Sequence, residues 1–182
     1  LLMLYSDSLP RASEIHADAA VLAFAVVTTL LVGVLVGLVP LARIDPETSE
    51  ITMIDFPFEG PRRLRADADG NLWIVAFQDS LLVKYAPATG EFTSYKLPVI
   101  NEVPYALNVD RERGVVWVNG NQSDTILAFD IASEQWQVYP LPRQRFFTRD
   151  IEISEDDGAV YTTNSHFPTW QSEGGVPTLL RI

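Results

Sequence analysis

Residues 82–98 read LVKYAPATGEFTSYKLP: an apolar run, a short stretch holding Pro87 and Gly90, and a second run with apolar and polar residues interleaved. Runs of this composition on either side of turn residues are the pattern of two strands joined as a hairpin. Pro87 presets φ for the turn, and Gly90 can close it in a conformation that Cβ-bearing residues resist. The same shape stands at 41–57 as LARIDPETSEITMIDFP and at 127–142 as LAFDIASEQWQVYPLP. The last copy lacks both Pro and Gly in DIASE (130–134), so there the side chains of Asp130 and Ser133 are expected to hold the turn.

The hairpins belong to a longer period. Trp73 in DGNLWIV, Trp117 in RGVVWVN and Tyr161 in DGAVYTT stand 44 residues apart, and Gly70, Gly114 and Gly158 keep the same interval. A fixed period of this length carried by strand signals is the sequence signature of β-propeller blades. Each unit reads as four strands. An inner one such as ALNVD (106–110) or DIEIS (150–154) comes first, then the aromatic-bearing strand, then the hairpin. Trp73, Trp117 and Tyr161, with Phe92 and Trp136, recur at blade spacing and are expected as packing between sheets rather than as ligand contacts.

The expected fold class over 41–182 is therefore all-β, an incomplete propeller of about three to four 44-residue, four-stranded units. From Leu41 the chain holds the end of one blade, two full blades and most of a third, whereas propellers typically have four or more. The chain begins with Leu1 and stops at Ile182, before the outermost strand of its last unit. Unpaired sheet edges favour association, so a fragment, or blades completed by another chain, is the expectation. The last unit also carries an insertion, HFPTWQSEGG (166–175), ahead of LLRI (179–182). Inserted loops are where propellers place binding residues, which makes Phe167 and Trp170 candidates, while Glu173 in the same loop could face the funnel but reads first as a solvated carboxylate.

Upstream, residues 1–18 form a tail, and residues 19–42 read AAVLAFAVVTTLLVGVLVGLVPLA without a charge. That is long enough for a single membrane-spanning α-helix over 19–40, with the propeller outside the cytoplasm. Gly33 and Gly37 add a GxxxG spacing compatible with helix packing in a membrane. A cleaved signal peptide fits less well, because the preceding residues carry Asp7, Glu14 and Asp18 against Arg11 rather than a basic leader. A buried soluble helix seldom runs this long without a polar face. Arg11 and Arg43 flank the block evenly and set no orientation.

Composition excludes some partners. A formal net charge of −11 argues against a nucleic-acid surface, which needs clustered Lys and Arg. With no cysteine, disulfides, thiolate metal sites and cysteine nucleophiles are ruled out for these residues.

The motifs ADADGNLWIVAFQDSLLVKYAPATGEFTSYKLP (66–98) and DTILAFDIASEQWQVYPLP (124–142) resemble the virginiamycin B lyase (streptogramin lyase) family of β-propellers. The resemblance extends over about residues 41–182 and rests on the repeat itself. It implies an elimination that cleaves a C–O bond, in which a histidine moves a proton and Mg²⁺ held by glutamates stabilises developing negative charge. In the family pattern a glutamate ends the aromatic strand, and the catalytic histidine follows one such glutamate by two positions. Here those glutamate positions are Ala76, Gly120 and Asn164, while His166 follows Asn164 at the family spacing. His166 is thus the catalytic candidate by resemblance, and a solvated residue at a strand end by the plainer reading. His16, in the tail, is expected to be solvated.

At the same end of the blades stand Arg63, Tyr105, Asn119, Asn121, Arg149 and Asn164, which with Trp170 are the candidate ligand-binding residues of a central funnel. Two arginines among several amides suit an anionic or polar ligand, although each taken singly also reads as a solvated loop residue. Two function classes result. One is a membrane-tethered or exported propeller that binds a small molecule or a protein partner at the funnel without catalysis. The other is a Mg²⁺-dependent streptogramin-type lyase using His166, which the missing carboxylates at 76, 120 and 164 disfavour. A scaffold in a membrane redox or signalling complex is a third, not separable from the first by sequence.

Overall fold

The computed structural model describes residues 20, 22–28, 41–142, 144, 146–164 and 179–182. The chain divides into two compact units, residues 1–55 and 56–182.

In the first unit, residues 20 and 22–28 are helical, with Leu22, Phe24, Val26 and Val27 exposed. Most of the membrane helix expected over 19–40 lies outside the described residues. Among the described residues no helix is long and apolar enough to cross a membrane. Strands β1 (Leu41–Ile44) and β2 (Ile51–Ile54) form an antiparallel hairpin with Leu41 opposite Ile54. Its turn is held by Asp45, whose carboxylate accepts the amides of Glu47 and Thr48 at 2.9 and 3.0 Å.

The second unit is a row of antiparallel sheets that follow one another along the chain. Strands β3 (Pro61–Ala66), β4 (Leu72–Ala76), β5 (Leu81–Ala86) and β6 (Glu91–Lys96) make a four-stranded sheet in sequence order. Strands β7 (Pro104–Asp110), β8 (Val115–Gly120), β9 (Thr125–Asp130) and β10 (Gln135–Pro140) repeat it. Strands β11 (Thr148–Ile153), β12 (Val160–Asn164) and β13 (Leu179–Arg181) give a third sheet of three. Arg181 pairs with Tyr161 as Lys84 pairs with Trp73, which is the alignment of LLRI with LVKY made from the repeat. The first strands, β3, β7 and β11, lie beside one another in turn, the arrangement of blades around an axis.

Packing between sheets explains the repeated aromatics. Trp73, Val75 and Leu82 of the first blade meet Leu107, Val109, Val116, Val118, Leu127 and Phe129 of the second, with Trp136 and Tyr95 against them. Side chains alternate across a strand, so the second blade turns Ile126, Trp117 and Tyr139 to its other face, against Ile151 and Val160 of the third. Phe92 packs with Tyr85 and Phe56. Burying one such side chain contributes about 1.5–3 kcal/mol, which makes these two interfaces the main cohesion between blades.

Trp73 is fully buried, and its indole N–H donates to Asp67 at 2.9 Å. Asp67 also accepts the amides of Asp69 and Asn71 and the Asn71 side chain. Burial raises this carboxyl, but the donors around it outweigh burial and hold it below the ordinary aspartate range. The residue in the same relation to Trp117 is Arg111, and the Trp117 N–H is buried with no hydrogen-bond partner among the described residues.

The hairpin turns share one backbone solution. Ser49, Gly90 and Glu134, whose amides donate to the carbonyls of Asp45, Ala86 and Asp130 four residues earlier, have φ of 61°, 75° and 56°. In the turn without Pro or Gly, Asp130 accepts both the Ser133 amide at 2.7 Å and its hydroxyl at 2.6 Å, as expected from the sequence.

Candidate functional site

Each inner strand carries a register shift at the same place. It falls between Pro61 and Leu64 in β3, Pro104 and Leu107 in β7, and Thr148 and Ile151 in β11. Two residues there oppose one on the neighbouring strand, which is a β-bulge, a device that re-aims side chains next to binding sites. The first residue of each bulge is Arg62, Tyr105 and Arg149. Three successive blades thus present equivalent positions at one end of the sheets.

These side chains meet. The Arg62 guanidinium lies over the Phe77 ring at 4.1 Å and over the Tyr105 ring at 4.7 Å. Arg149 lies over the Tyr105 ring at 4.9 Å, and Phe77 and Tyr105 pack edge to face with centroids 6.3 Å apart. Hydrogen bonding from Arg149 holds the Tyr105 phenol below the ordinary tyrosine range. Slight burial opposes this, and the charges of Arg149, Arg62 and Arg63 reinforce it. The arrangement is an aromatic platform, half-buried, set among cations.

Asn119 underlies the platform. It opposes the β7 bulge, is fully buried, and its side-chain oxygen accepts the amides of both bulged residues, Tyr105 at 3.0 Å and Ala106 at 2.5 Å. Its side-chain N–H donates to the Thr148 carbonyl at 2.6 Å, tying the second blade to the strand that carries Arg149. The amide therefore positions two members of the cluster.

Arg63 is exposed on β3, and its charge reaches Tyr105 without a contact to the ring. Asn164 closes the same end of β12 opposite Thr148. The Asn121 amide donates to the Val103 carbonyl at 3.3 Å, while the Asn121 side-chain oxygen and the Thr148 hydroxyl are buried without hydrogen-bond partners among the described residues. His166, Phe167, Trp170 and Glu173 lie outside the described residues, as does His16.

Three residues of this end had not been singled out from the sequence: Arg62, Phe77 and Glu102. Aligning Pro61 with Pro104 places Arg62 against Tyr105, a signal present in the sequence but displaced by one residue from the repeat as counted. Glu102 is wholly buried in the loop before β7. Its carboxyl accepts from the Ser123 hydroxyl, the Thr125 hydroxyl at 3.3 Å and the Val103 amide at 3.0 Å. Burial pushes it above the ordinary glutamate range against those donors. A Cβ at Gly120 would collide with that carboxylate and with the Ser123 and Thr125 hydroxyls. A carboxyl thus does occupy the strand end at position 120, but it comes from the preceding loop and faces inward.

That geometry bears on the metal implied by the family resemblance. Among the described residues no three or more His, Asp or Glu side chains converge where a cation would sit, and the strand ends offer Ala76, Gly120 and Asn164. Mg²⁺ requires several oxygen ligands, so this donor set does not fit it, and no step through a metal follows from it.

A concavity of about 710 Å³ lies at the turns joining the first and second strands of the blades, lined by Arg65, Arg111, Glu112, Glu152 and Asp156 among others. The arginines of these turns bridge blades: Arg111 donates to the Ala66 carbonyl, and Arg113 to Asp110 and the Gly158 carbonyl. They staple the fold, and no aromatic side chain lines the concavity.

No protein-family model and no curated protein matches this chain by sequence. The fold does match solved structures. A streptogramin B lyase superposes with a TM-score of 0.63 at 18% identity, over 78% of this chain and 47% of that one. A virginiamycin B lyase from Staphylococcus aureus gives 0.62 at 18%, over 79% and 48%. A chain of a nidogen/laminin complex gives 0.61 at 15%, over 79% and 53%. The chain thus spans about half the length of the structures it matches. What these likenesses establish is the architecture: a run of β-propeller blades similar to those of the streptogramin lyases.

Proposed function

We propose that this chain is part of a binding propeller, which holds a small molecule or a protein partner at the end of the blades where the inner-strand bulges lie. The observation that carries the reading is the convergence of Arg62, Tyr105 and Arg149 from equivalent positions of three blades onto one aromatic platform. Such a cluster couples apolar area to fixed donors, the usual composition of a ligand site. Arg63, Asn119, Asn164 and Trp170 complete the set of residues assigned to it, with Asn119 acting through the backbone it holds. The run of uncharged residues 19–40 and the exposed apolar side chains at Leu22, Phe24, Val26 and Val27 support tethering to a membrane, with the blades outside the cytoplasm. Separation of membranes from supernatant tests that part. Deleting 19–40 is expected to release the chain, and release of the intact chain by alkaline carbonate would refute an integral anchor.

A second reading, a streptogramin-type lyase using His166 and Mg²⁺, is favoured by the similarity in fold to streptogramin B lyase. The donor set at the strand ends speaks against it. Incubating the chain with a streptogramin B lactone and Mg²⁺ decides between the two. The binding reading expects no ring opening, and opening that disappears in His166→Ala would establish the lyase instead.

A further inference from the structure

We propose that residues 98–104 form a proton-operated latch: seated while the Glu102 carboxyl is neutral, and released, with the start of β7 and Tyr105, when it ionises. Its bearing on ligand binding rests on the reading above, whereas the latch itself is observable without a ligand. The cluster around Glu102 leads to it. The side chain is wholly buried, and among the described residues no cation forms an ion pair with it. Its carboxyl oxygens meet the Val103 amide at 3.0 Å and the hydroxyls of Ser123 and Thr125, which lie 2.6 Å from each other. Hydroxyls donate or accept, so this cluster also satisfies the O–H of a neutral carboxyl. An ionised carboxylate there has neither a counter-charge nor access to solvent, and burying it so is strongly unfavourable. The charged residues on the elements around it do not relieve this. Asp79, next to Ser80, accepts the Glu59 amide at 2.7 Å, and Asp124, next to Ser123, accepts the Phe146 amide at 2.6 Å. Both are negative and oppose ionisation of Glu102. Lys96, at the end of β6, is exposed.

The segment is anchored at its two ends and at Glu102. Val99 packs against the core between the first two blades, and Pro104 pairs with Gly120 in the ladder. Between them Ile100 and Asn101 are exposed, and Asn101 takes a left-handed φ of 60°. Among the described residues, three ties seat this stretch. The Ser80 hydroxyl donates to the Glu102 carbonyl at 2.5 Å, the Asn121 amide donates to the Val103 carbonyl at 3.3 Å, and the carboxyl cluster makes the third. Gly120 leaves the space that the carboxyl occupies. Pro104 and the bulged Tyr105 follow Glu102 by two and three residues, so unseating the carboxyl loosens the strand start that carries the platform. Burial holds the carboxyl above the ordinary glutamate range against its donors, so the seated form binds the proton more tightly than the released form. The released population therefore grows by up to about tenfold per pH unit, from the exposed value of about 4.3 up to the raised one.

The test follows the Glu102 carboxyl carbon of the full chain by NMR against pH, together with amide hydrogen exchange corrected for intrinsic rates. Glu102 is expected to titrate above the ordinary glutamate value of about 4.3. Across that titration the amides of Val103, Tyr105 and Ala106 should lose protection about tenfold or more, while the β4–β5 ladder keeps its own. Glu102→Gln presents a neutral group of the same shape and is expected to hold the latch seated, with the pH-dependent loss at these three amides abolished. If that variant does not fold, the carboxyl titration and the amide pattern of the parent chain still decide the matter. Titration at the ordinary value would overturn the latch, as would a raised titration with unchanged protection at Tyr105. Equal loss of protection in the β4–β5 ladder would overturn it in favour of global unfolding, and an undiminished pH dependence in Glu102→Gln would assign the effect to another group. Each of these outcomes leaves the binding reading standing, because no ligand enters the measurement.

Discussion

Tyr105 and Asn119 show how a single position acquires a task from the backbone around it. Tyr105 stands where the β7 chain bulges, and there Asn119 satisfies two amides that the bulge leaves unpaired in the ladder. Asn119→Ala strands those amides and the Thr148 carbonyl in a buried place, for a loss of about 3 kcal/mol measured by urea denaturation. Asn119→Asp should not rescue it, since it replaces the N–H donated to Thr148 with a buried charge. The Tyr105 phenol is expected to ionise below the ordinary tyrosine value of about 10, as read by ultraviolet difference titration. Arg149→Gln should move it back upward, because the hydrogen bond from Arg149 is the leading cause of the shift. Fully buried Trp73 and partly buried Trp117 differ in what their indole N–H groups meet. Trp73→Phe gives up the bond to Asp67 and should cost about 1 kcal/mol more than Trp117→Phe, whose indole N–H has no partner among the described residues.

At the scale of elements, the hairpin turns show different sequences reaching one geometry. Gly90 adopts a left-handed φ of 75° with open space around it, so Gly90→Ala is a test of backbone strain alone. It is expected to cost about 1 kcal/mol by chemical denaturation. Glu134 and Ser49 occupy the same conformation at that penalty, and the Asx-type bonds of Asp130 and Asp45 offset it. The strand pattern, the turn at Asp130 and the pairing of LLRI with the aromatic strand were all legible in the repeat, because strand alternation and turn chemistry are local properties. The identity of the arginine over Tyr105 was not. The first two inner strands stand 43 residues apart at Pro61 and Pro104 rather than the 44 that separates the aromatic positions, so the period by itself does not tell Arg62 from its neighbour Arg63 as the partner of Tyr105.

For the second unit as a whole, cohesion depends on contacts between successive blades, and a buried carboxyl sits in the loop from the first to the second. Glu102 is held above the ordinary glutamate range by burial, so the folded chain binds this proton more tightly than the unfolded chain. Its contribution to stability is greatest below the unfolded glutamate value of about 4.3 and declines as pH rises from there through the raised folded value. Asp67, held low, acts in the opposite sense: its contribution is present above the ordinary aspartate value and is lost as pH falls through the depressed one. Glu102→Gln keeps hydrogen-bonding capacity and removes the titration. Urea denaturation across about pH 4–8 should show a shallower decline for this variant than for the parent. Equal slopes would place the titrating group elsewhere.

Read alone, the sequence determined the blades: the 44-residue period, the strand order within each unit, the aromatic packing positions and the likeness to streptogramin lyase propellers. Those features follow from side-chain periodicity and turn residues, which act over a few positions. Only the tertiary structure decided which side chains share the binding end. Arg62, Tyr105 and Arg149 are brought together by three bulges in adjoining sheets, and Glu102 fills the place left by Gly120 from a loop 18 residues away. Such meetings depend on how blades pack and where their ladders slip, and no short-range pattern in the chain encodes either.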